Sequence, residues 1–322
     1  MKKNLGLITL LVVACLFTFL ANDRFLAPVN VENLLRRTAL FSLLSIGVAF
    51  VITAGGIDLS IGSVVCLVGT LLPYLVVQAG WSWPVALVAL LLLAGCLGLL
   101  HGVLITKLRL QPFIVTLCGL LLYRGLARGI TGDQTQGFGL EHEGLRAVAT
   151  GKLPTLGVLP FEIPSVVLIS LAVALIAGFV MSRTPYGLFL RAIGRNELAA
   201  RYSGVDTDRV KILAYLACSL LAGVGGTLFI LDVNSAQPSD FGNFYELYAI
   251  AAAVLGGCSL KGGECSIVGI LVGASLMQVL RNAIVLLDIP TQLEFAIIGA
   301  VILAGAAAEE LVRRLAGRAA VA

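Results

Sequence analysis

Long apolar stretches alternate with short polar breaks along almost the whole chain. Ten of them predict membrane-spanning helices, because about 20 predominantly apolar residues cross a bilayer as a helix. The eighth is short, and Gly256-Gly257 interrupts it. The predicted spans cover residues 5–22, 38–54, 60–79, 83–106, 112–130, 164–181, 210–231, 245–256, 266–287 and 290–308. This pattern predicts an all-α, polytopic integral membrane protein, organised as a single transmembrane domain over residues 1–322.

Two longer polar segments separate the spans. Residues 131–163 are rich in glycine and polar residues and contain prolines. Residues 183–209 contain five basic residues, and Lys211 just beyond them is a sixth. Within the second segment, the composition predicts a helix from about Leu188 to Tyr202 that ends at Ser203-Gly204. Because this helix mixes leucines and isoleucine with arginines, we expect it to lie along the membrane surface or against a partner.

The composition excludes the classes of soluble globular protein. Hydrophobic residues make up 59% of the 322 positions and charged residues 12%, against roughly 25% charged residues in soluble domains. The mean hydropathy is +1.01. The seven cysteines form no CxxC pair, and with two histidines they predict no metal site. We interpret the cysteines as small buried residues.

The distribution of lysine and arginine predicts the orientation. With a cytoplasmic amino terminus, 14 of the 22 basic residues fall on the inner side. These are Lys2, Lys3, Lys107, Arg109, Arg183, Arg191, Arg195, Arg201, Arg209, Lys211, Lys261, Arg313, Arg314 and Arg318. Segment 131–163 then lies outside, segment 183–209 inside, and both termini in the cytoplasm. The net charge of +4 is thus a topology signal and does not indicate nucleic acid binding. Lys2-Lys3 before an apolar run also fits a cleaved signal peptide, but the run continues past Cys15, which favours a retained first span.

The stretch ITAGGIDLSIGS, residues 52–63, interrupts two apolar runs and contains a carboxylate. Gly55-Gly56 disfavours a continuous helix, and Asp58 before Leu59-Ser60-Ile61 has the form of an N-cap for the next helix. Two interpretations remain open. The stretch is either a tight inner turn with a satisfied cap, or a helix break at membrane depth that contacts a polar solute. An ionised aspartate at that depth needs a cavity or a partner.

Other polar residues lie in or beside the spans. Arg124 and Arg128 are four residues apart near an outer helix end, and we expect them to reach the interface. We interpret His101 as a packing residue and expect Arg281 to pair with Asp288 or Glu294. Glu246 begins the eighth span, where we favour a position at the membrane boundary over one on a transport pathway.

Signatures of enzymes are missing from the sequence. There is no G-x-S-x-G, no H-E-x-x-H, and the single Gly-Lys pair, Gly151-Lys152, is followed by Leu153 and so does not form a Walker A loop. An ATP-driven pump would need its ATPase on another chain. Residues 54–59 and 255–260 resemble each other, AGGIDL against LGGCSL, and we favour chance over an internal repeat.

Several motifs together resemble the permease subunits of bacterial ABC importers for monosaccharides such as ribose, xylose, arabinose and galactose. The motifs are TAGGIDLSIGS (53–63), LQPFIVTL (110–117), Arg124-Gly125, RAIGRNELAARYSGV (191–205) and YELYAIAAAVLGGCSLKGG (245–263). The resemblance implies a ten-helix fold related to the vitamin B12 importer permease. It also favours the interpretation of the break at 52–63 as part of a transport pathway over its interpretation as a plain turn. Candidate pathway or gate residues are Gly55, Gly56, Asp58, Ser60, Gln111, Thr116 and Glu246.

The resemblance further implies a set of partners. A cytoplasmic ABC ATPase carrying ATP and Mg²⁺ would couple to Gly194, Asn196, Glu197, Ala199, Ala200, Ser203 and Gly204. A periplasmic or lipid-anchored sugar-binding protein would deliver substrate, and a second permease copy, identical or paralogous, would complete the transporter in the inner membrane. The chain itself would bind no cofactor and no metal, and would catalyse no reaction.

One residue departs from the resembling family. Tyr248 follows Glu246-Leu247 where the family usually has aspartate, which leaves the identity of the sugar open. Autoinducer sugars, nucleosides and polyols are alternative solutes. An ion-gradient transporter is an alternative mechanism, for which Asp58 and Glu294 would supply the carboxylates.

Overall fold

The computed structural model describes residues 2–154, 160–301 and 303. Its helices are α1 (Lys2–Ala21), α2 (Pro28–Thr53), α3 (Ile61–Pro73), α4 (Trp83–Thr106), α5 (Pro112–Thr131), α6 (Glu143–Thr150), α7 (Ser165–Arg183), α8 (Pro185–Arg195), α9 (Glu197–Tyr202), α10 (Thr207–Val233), α11 (Tyr245–Leu255) and α12 (Ile267–Leu286). A π-helical turn, Tyr74–Gln78, extends α3, and residues 294–301 are helical again. The end of the predicted span 290–308 and the basic tail with Arg313, Arg314 and Arg318 lie outside the described residues.

Seven helices of the described chain are long and apolar enough to cross a membrane: Pro28–Thr53, Ile61–Gln78, Trp83–Thr106, Pro112–Thr131, Ser165–Arg183, Thr207–Val233 and Ile267–Leu286. Two further apolar helices, Gly6–Ala21 and Tyr245–Leu255, are shorter. Each of the ten predicted spans overlaps a helix. The second begins at Pro28 and not at residue 38, since proline suits a first helical position.

The core is formed by α2, α3 and α10. Every residue of α3 is buried, as is α2 from Ala39 to its end. α10 packs against α4 through glycines, and a Cβ at Gly98 would lie 2.6 Å from the Tyr215 carbonyl oxygen. Such close backbone approach at small residues is how membrane helices gain packing energy. The outer faces of α4 and α7 carry leucines that remain exposed, including Leu92 and Leu175 at 65% and 67%, and so form lipid-facing surface.

The segment predicted to lie outside, 131–163, contains more regular structure than expected. It includes α6 and a two-stranded antiparallel sheet of β1 (Lys152–Leu153) and β2 (Ile163–Pro164). The all-α prediction is therefore correct for the mostly helical chain but misses this hairpin. Gln136 pairs with Ala236 in an isolated antiparallel bridge, which ties the segment to the chain that follows α10.

Residues 234–244, which we call the descending segment, run between helices from the end of α10 to the start of α11. The Cys66 thiol donates to the Pro238 carbonyl over 3.3 Å, and a Cβ at Gly242 would lie 3.3 Å from the Cys66 nitrogen. At the end of this descent, the Tyr245 ring lies 4.9 Å from that of Phe41, midway along α2. α11 is therefore a half-length helix that starts inside the helical bundle, a geometry tolerated where the irregular backbone is enclosed by protein.

Candidate functional site

The break between α2 and α3 is closed by backbone hydrogen bonds. The Gly55 N–H donates to Ile52 and the Gly56 N–H to Val51, both over 2.9 Å. Gly55 has φ of +80°, the left-handed conformation that glycine adopts at a helix end. The chain then needs residues 56–60 to turn back before α3 starts at Ile61. The predicted break is thus present at the predicted glycines.

Asp58 stabilises the turn in a different way from the N-cap expected. Its Oδ1 accepts from the Ser60 N–H at 2.9 Å and from the Ser60 hydroxyl at 2.7 Å, which is an Asx turn. Ser60 occupies the N-cap position of α3, without a side-chain capping bond. The cap assignment was therefore shifted by two residues, because the aspartate bonds the nearer amide.

Asp58 is fully buried, with 0% of its surface exposed. Its Oδ2 accepts no hydrogen bond of good geometry from the described residues, and the Cys218 thiol is close enough to interact with the carboxylate. His101, Tyr123, Tyr215 and Cys218 interact with it electrostatically. Because a buried, half-satisfied carboxylate is costly, the site fits a group that is held for a purpose other than packing.

The other predicted pathway residues are brought together only in part. Thr116 is buried and its hydroxyl donates to Pro112 over 2.9 Å, with the Ile57 carbonyl at 3.5 Å, so it borders the break. Gln111 is exposed at the N-cap of α5 and makes no capping bond. Ser60 is held by Asp58. Their roles in transport stay predictions.

Glu246 does not lie at the boundary of the helical bundle. It is 7% exposed in the first turn of α11, and its carboxylate packs on Gly62, where a Cβ would collide with Oε2. Our preferred boundary interpretation was wrong, because α11 begins inside the bundle. Glu246 and Asp58 therefore both lie near the amino-terminal end of α3, where the helix dipole favours negative charge.

Segment 183–209, which was predicted to contact an ATPase, folds as two helices where one was predicted. α8 and α9 are separated at Asn196, whose Oδ1 accepts from the Ala199 N–H at 3.0 Å and so caps α9. α9 ends as predicted, with the Gly204 N–H donating to Arg201 and φ of +85° at Gly204. Glu197 binds Lys211 at 2.5 Å, which anchors α9 to α10.

Most of α9 faces outward. Ala200 is buried and Leu198 and Tyr202 are 66% and 88% exposed, while Ala199, Ser203 and Gly204 are also exposed. Large exposed apolar side chains beside polar ones are typical of protein contact surfaces. The predicted coupling residues thus form one surface, with Ala200 as its buried support.

Gly194 connects this surface to the break after α2. A Cβ there would collide with the Thr53 carbonyl oxygen and the Gly263 nitrogen. The Gly263 N–H itself donates to Thr53 over 2.9 Å, and a Cβ at Gly262 would lie 3.0 Å from Gly55. We call Gly55, Gly194, Gly262 and Gly263, with the Thr53 carbonyl, the glycine junction. It joins the end of α8, the end of α2 and the loop after α11.

Three further polar residues have different outcomes: Arg124 was misassigned from the sequence, whereas the expected pairing of Arg281 is confirmed. Arg124 does not reach an interface, since it donates to the carbonyls of Pro238, Ser239 and Phe241 over 3.1–3.3 Å and holds the descending segment. Arg281 pairs with Glu294 at 2.7 Å, one of the two expected partners. His101 bonds Tyr123 through Nε2 at 2.7 Å, but its Nδ1 is buried with no hydrogen-bond partner among the described residues, so the packing interpretation is only partly supported.

The cysteines only partly match the prediction. Cys258 and Cys265 are joined by a disulfide, and Cys96 and Cys118 are exposed on the helix surface. Cys66 and Cys218 are buried as expected. Within the described residues, no group of three or more His, Cys, Asp or Glu side chains could hold a metal ion.

Comparison with known proteins places this architecture in a family. Residues 30–306 match the family described as the permease component of the branched-chain amino acid transport system. The ribose import permease protein RbsC of Bacillus subtilis strain 168 is 36% identical over 300 residues, covering 93% of this chain and 89% of that protein. RbsC of Escherichia coli K12 is 35% identical, covering 94% and 92%.

A third relative differs in its named substrate. The xylose transport system permease protein XylH of Escherichia coli K12 is 30% identical, covering 94% of this chain and 91% of that protein. No solved structure matches the chain significantly. Together with the seven apolar helices, these matches show a multi-pass membrane protein. The chain belongs to this family of transport-system permease components.

Proposed function

We propose that the chain is the membrane subunit of an ATP-driven importer for a monosaccharide, a ribose-like pentose or a hexose. The observation that carries this proposal is the similarity to ribose and xylose permeases over more than nine-tenths of the chain. The exposed surface of α9, joined to the α2 break by the glycine junction, supports it. Such a surface is what a separate ATPase chain needs in order to act on a permease.

The mechanism is alternating access. ATP binding and hydrolysis on a cytoplasmic ATPase, with its Mg²⁺, shift α8 and α9, and the rigid backbone contacts at Gly194 transmit this shift to the end of α2. Because glycine packing leaves no side chain to absorb the movement, a displacement of α8 moves the Gly55-Gly56 turn with it. The break around Asp58 then acts as the gate on the sugar pathway.

The remaining architecture is proposed on the same basis. One permease domain of about ten spans, related to the vitamin B12 importer permease, has both termini in the cytoplasm of a bacterial inner membrane. Two copies, identical or paralogous, form the pathway, and a periplasmic or lipid-anchored binding protein delivers the sugar. The chain binds no cofactor itself.

The decisive experiment is radiolabelled uptake into proteoliposomes containing the permease, its ATPase and its binding protein. Pentoses, hexoses, a nucleoside and a polyol form the panel, and leucine is included because the family description names branched-chain amino acids. We expect uptake of one monosaccharide that requires ATP and ignores an ionophore. Uptake by the permease alone that collapses with the ionophore would establish an ion-gradient transporter instead.

A further inference from the structure

A cavity of about 320 Å³ lies away from Asp58, between the first half of α2, the start of α11 and the second half of α12. Its lining consists of Asn33, Leu34, Arg37, Phe41, Tyr245, Gln278, Arg281, Asn282, Val285 and Glu294. With α2 entering from outside, this is the outer half of the helical bundle. The volume is at the lower end of the range of about 300–1,000 Å³ for small-ligand sites, which suits one sugar ring.

Gln278 is the residue that indicates a ligand. It is 4% exposed, and its Nε2 has no hydrogen-bond partner within the described part of the chain. Buried side-chain amides are almost always hydrogen-bonded, because an unpaired donor loses its water without replacement. Gln278 also lines the cavity, so a hydrogen-bond acceptor bound there would satisfy the amide once its side chain turns toward it.

The charged groups of the lining are held in place. Arg281 pairs with Glu294 at 2.7 Å and lies over the Tyr248 ring at 4.7 Å. The Tyr248 hydroxyl also donates to Glu294 over 3.1 Å. Arg37 adds a second cation, so the lining carries two arginines against one glutamate. Guanidinium groups donate to vicinal hydroxyls in pairs, and the Glu294 carboxylate, bonded to Arg281 and Tyr248, offsets one of the two positive charges.

Aromatic and amide side chains complete the lining. The rings of Phe41 and Tyr245 lie 4.9 Å apart, and Asn282 exchanges hydrogen bonds with Asn30 at 2.7 and 3.1 Å, which fixes its orientation. Amides both donate and accept, as sugar hydroxyls do. Apolar ring faces with a few fixed polar groups are the usual composition of a small-molecule site.

We propose that this cavity is an outward-facing binding site for a neutral monosaccharide, contacted by the Gln278 amide and the Arg37 and Arg281 guanidinium groups. The site receives the sugar before the Asp58 break opens. Tyr248 is a positioning residue, since it holds Arg281 and Glu294 without lining the cavity. This inference rests on the proposed function and extends it by locating the substrate.

The test uses the full transporter in proteoliposomes. A cysteine at Val285, which lines the cavity and is 61% exposed, is labelled with a membrane-impermeant maleimide in the presence of the transported sugar or of sorbitol. Cys96 and Cys118 are replaced by serine to remove their exposed thiols. A cysteine at Leu140, 93% exposed in the segment 131–163, is the control outside the cavity.

We expect the sugar, and not sorbitol, to slow labelling at Val285→Cys several-fold and to leave Leu140→Cys unchanged. Gln278→Met should raise the sugar concentration needed for protection about tenfold, the effect of losing one hydrogen bond to a buried group. Gln278→Asn should recover part of it. Ser275→Ala on the same helix, whose hydroxyl already bonds Leu271, should leave protection unchanged.

Two results would overturn the inference, and they are distinguishable. Normal ATP-dependent sugar uptake without protection of Val285→Cys, or with protection unaffected by Gln278→Met, would refute the site and leave the proposed function intact. A reconstituted wild type that takes up no sugar would refute the proposed function and this site together.

Discussion

Both α2 and α11 end at a Gly-Gly pair, and we call the turns that follow these two helices the two exits. Their helix ends form the same hydrogen bonds, but the side chains in the two turns differ in burial. After α2, Gly56 donates to Val51 and Gly55 is left-handed; after α11, Cys258 donates to Ala253 over 3.0 Å and Gly257 is left-handed. Both are Schellman endings. When residues 54–59 are aligned with 255–260, the left-handed glycine of the second ending, Gly257, stands one position later than Gly55 in the first.

The side-chain turns that follow show the same relation. Asp58 accepts from the amide two residues on at 2.9 Å, and Ser259 does so at 3.3 Å. Asp58 is fully buried, whereas Ser259 is half-buried, Lys261 is exposed and a disulfide closes the loop. One exit therefore carries a buried carboxyl group and the other a disulfide, and the glycine junction joins them.

The strongest test of this comparison is to separate the two exits at Gly194. Gly194→Val places a side chain against the Thr53 carbonyl and the Gly263 amide, backbone atoms that cannot move aside. We expect loss of about 3 kcal/mol of stability, the upper end of the usual cost of overpacking, and loss of ATP-dependent uptake, measured by thermal unfolding and proteoliposome transport. Gly178→Ala, where a Cβ meets open space, is the control. Normal uptake by Gly194→Val would show that the junction transmits nothing.

The covalent closure of the second exit gives the next effect. In oxidising buffer, in which a disulfide on the predicted cytoplasmic side persists, replacing Cys258 and Cys265 together by serine should cost about 2–3 kcal/mol, since the crosslink restricts the unfolded chain. Thermal unfolding with and without reductant measures this, and Cys96→Ser provides the unpaired control. If reductant leaves the wild-type melting temperature unchanged, the disulfide contributes no stability and the two exits do not differ in this respect.

Matched substitutions compare the two side-chain turns directly. Asp58→Ala removes two buried hydrogen bonds and should cost about 1–3 kcal/mol, whereas Ser259→Ala should cost less than about 1 kcal/mol. Asp58→Asn keeps the acceptor and should assemble normally, so a loss of uptake in this variant alone would identify the charge as part of the gate. Unchanged uptake and assembly in Asp58→Asn and Asp58→Ala would end the gate hypothesis.

The smallest effect is expected at an exposed ion pair remote from both exits. Arg128 bonds Asp133 at 2.7 and 3.0 Å and lowers the pKa of that carboxyl. Its stabilisation is therefore present above the unfolded pKa of about 3.9 and is lost as the pH falls through the lower folded value. Asp133→Asn should lower the melting temperature slightly at pH 7 and not at all near pH 2. A difference that grows in acid would contradict the pairing.

The sequence predicted the apolar helices well, but it did not predict how deep in the helical bundle individual polar residues lie. Periodic apolar runs located the helices, and Gly55-Gly56 and Ser203-Gly204 marked real helix ends, because these signals are local. The first ten residues of α2 escaped prediction since Arg36 and Arg37 lower its hydropathy; Arg36 is neutralised by Asp232 at 2.9 Å, a partner 196 residues away.

Glu246 and Arg124 were misjudged for the same reason. Their positions depend on the descending segment 234–244, and nothing in its composition states that it runs between helices. The cavity around Gln278 also depends on tertiary contacts, because its lining comes from α2, α11, α12 and the residues beyond. Sequence reasoning could name Arg281 and Glu294 as a pair, but not the space that they border.

The half-length of α11 has a consequence for biogenesis. Its 11 residues rise about 16 Å, roughly half of a 30 Å hydrocarbon core, so the translocon cannot insert it as an independent span. The carbonyls of its approach segment are satisfied by Arg124 of α5 and by Cys66 of α3. We therefore expect α11 to enter the bilayer only after these helices are in place, as a late step in the maturation of the protein.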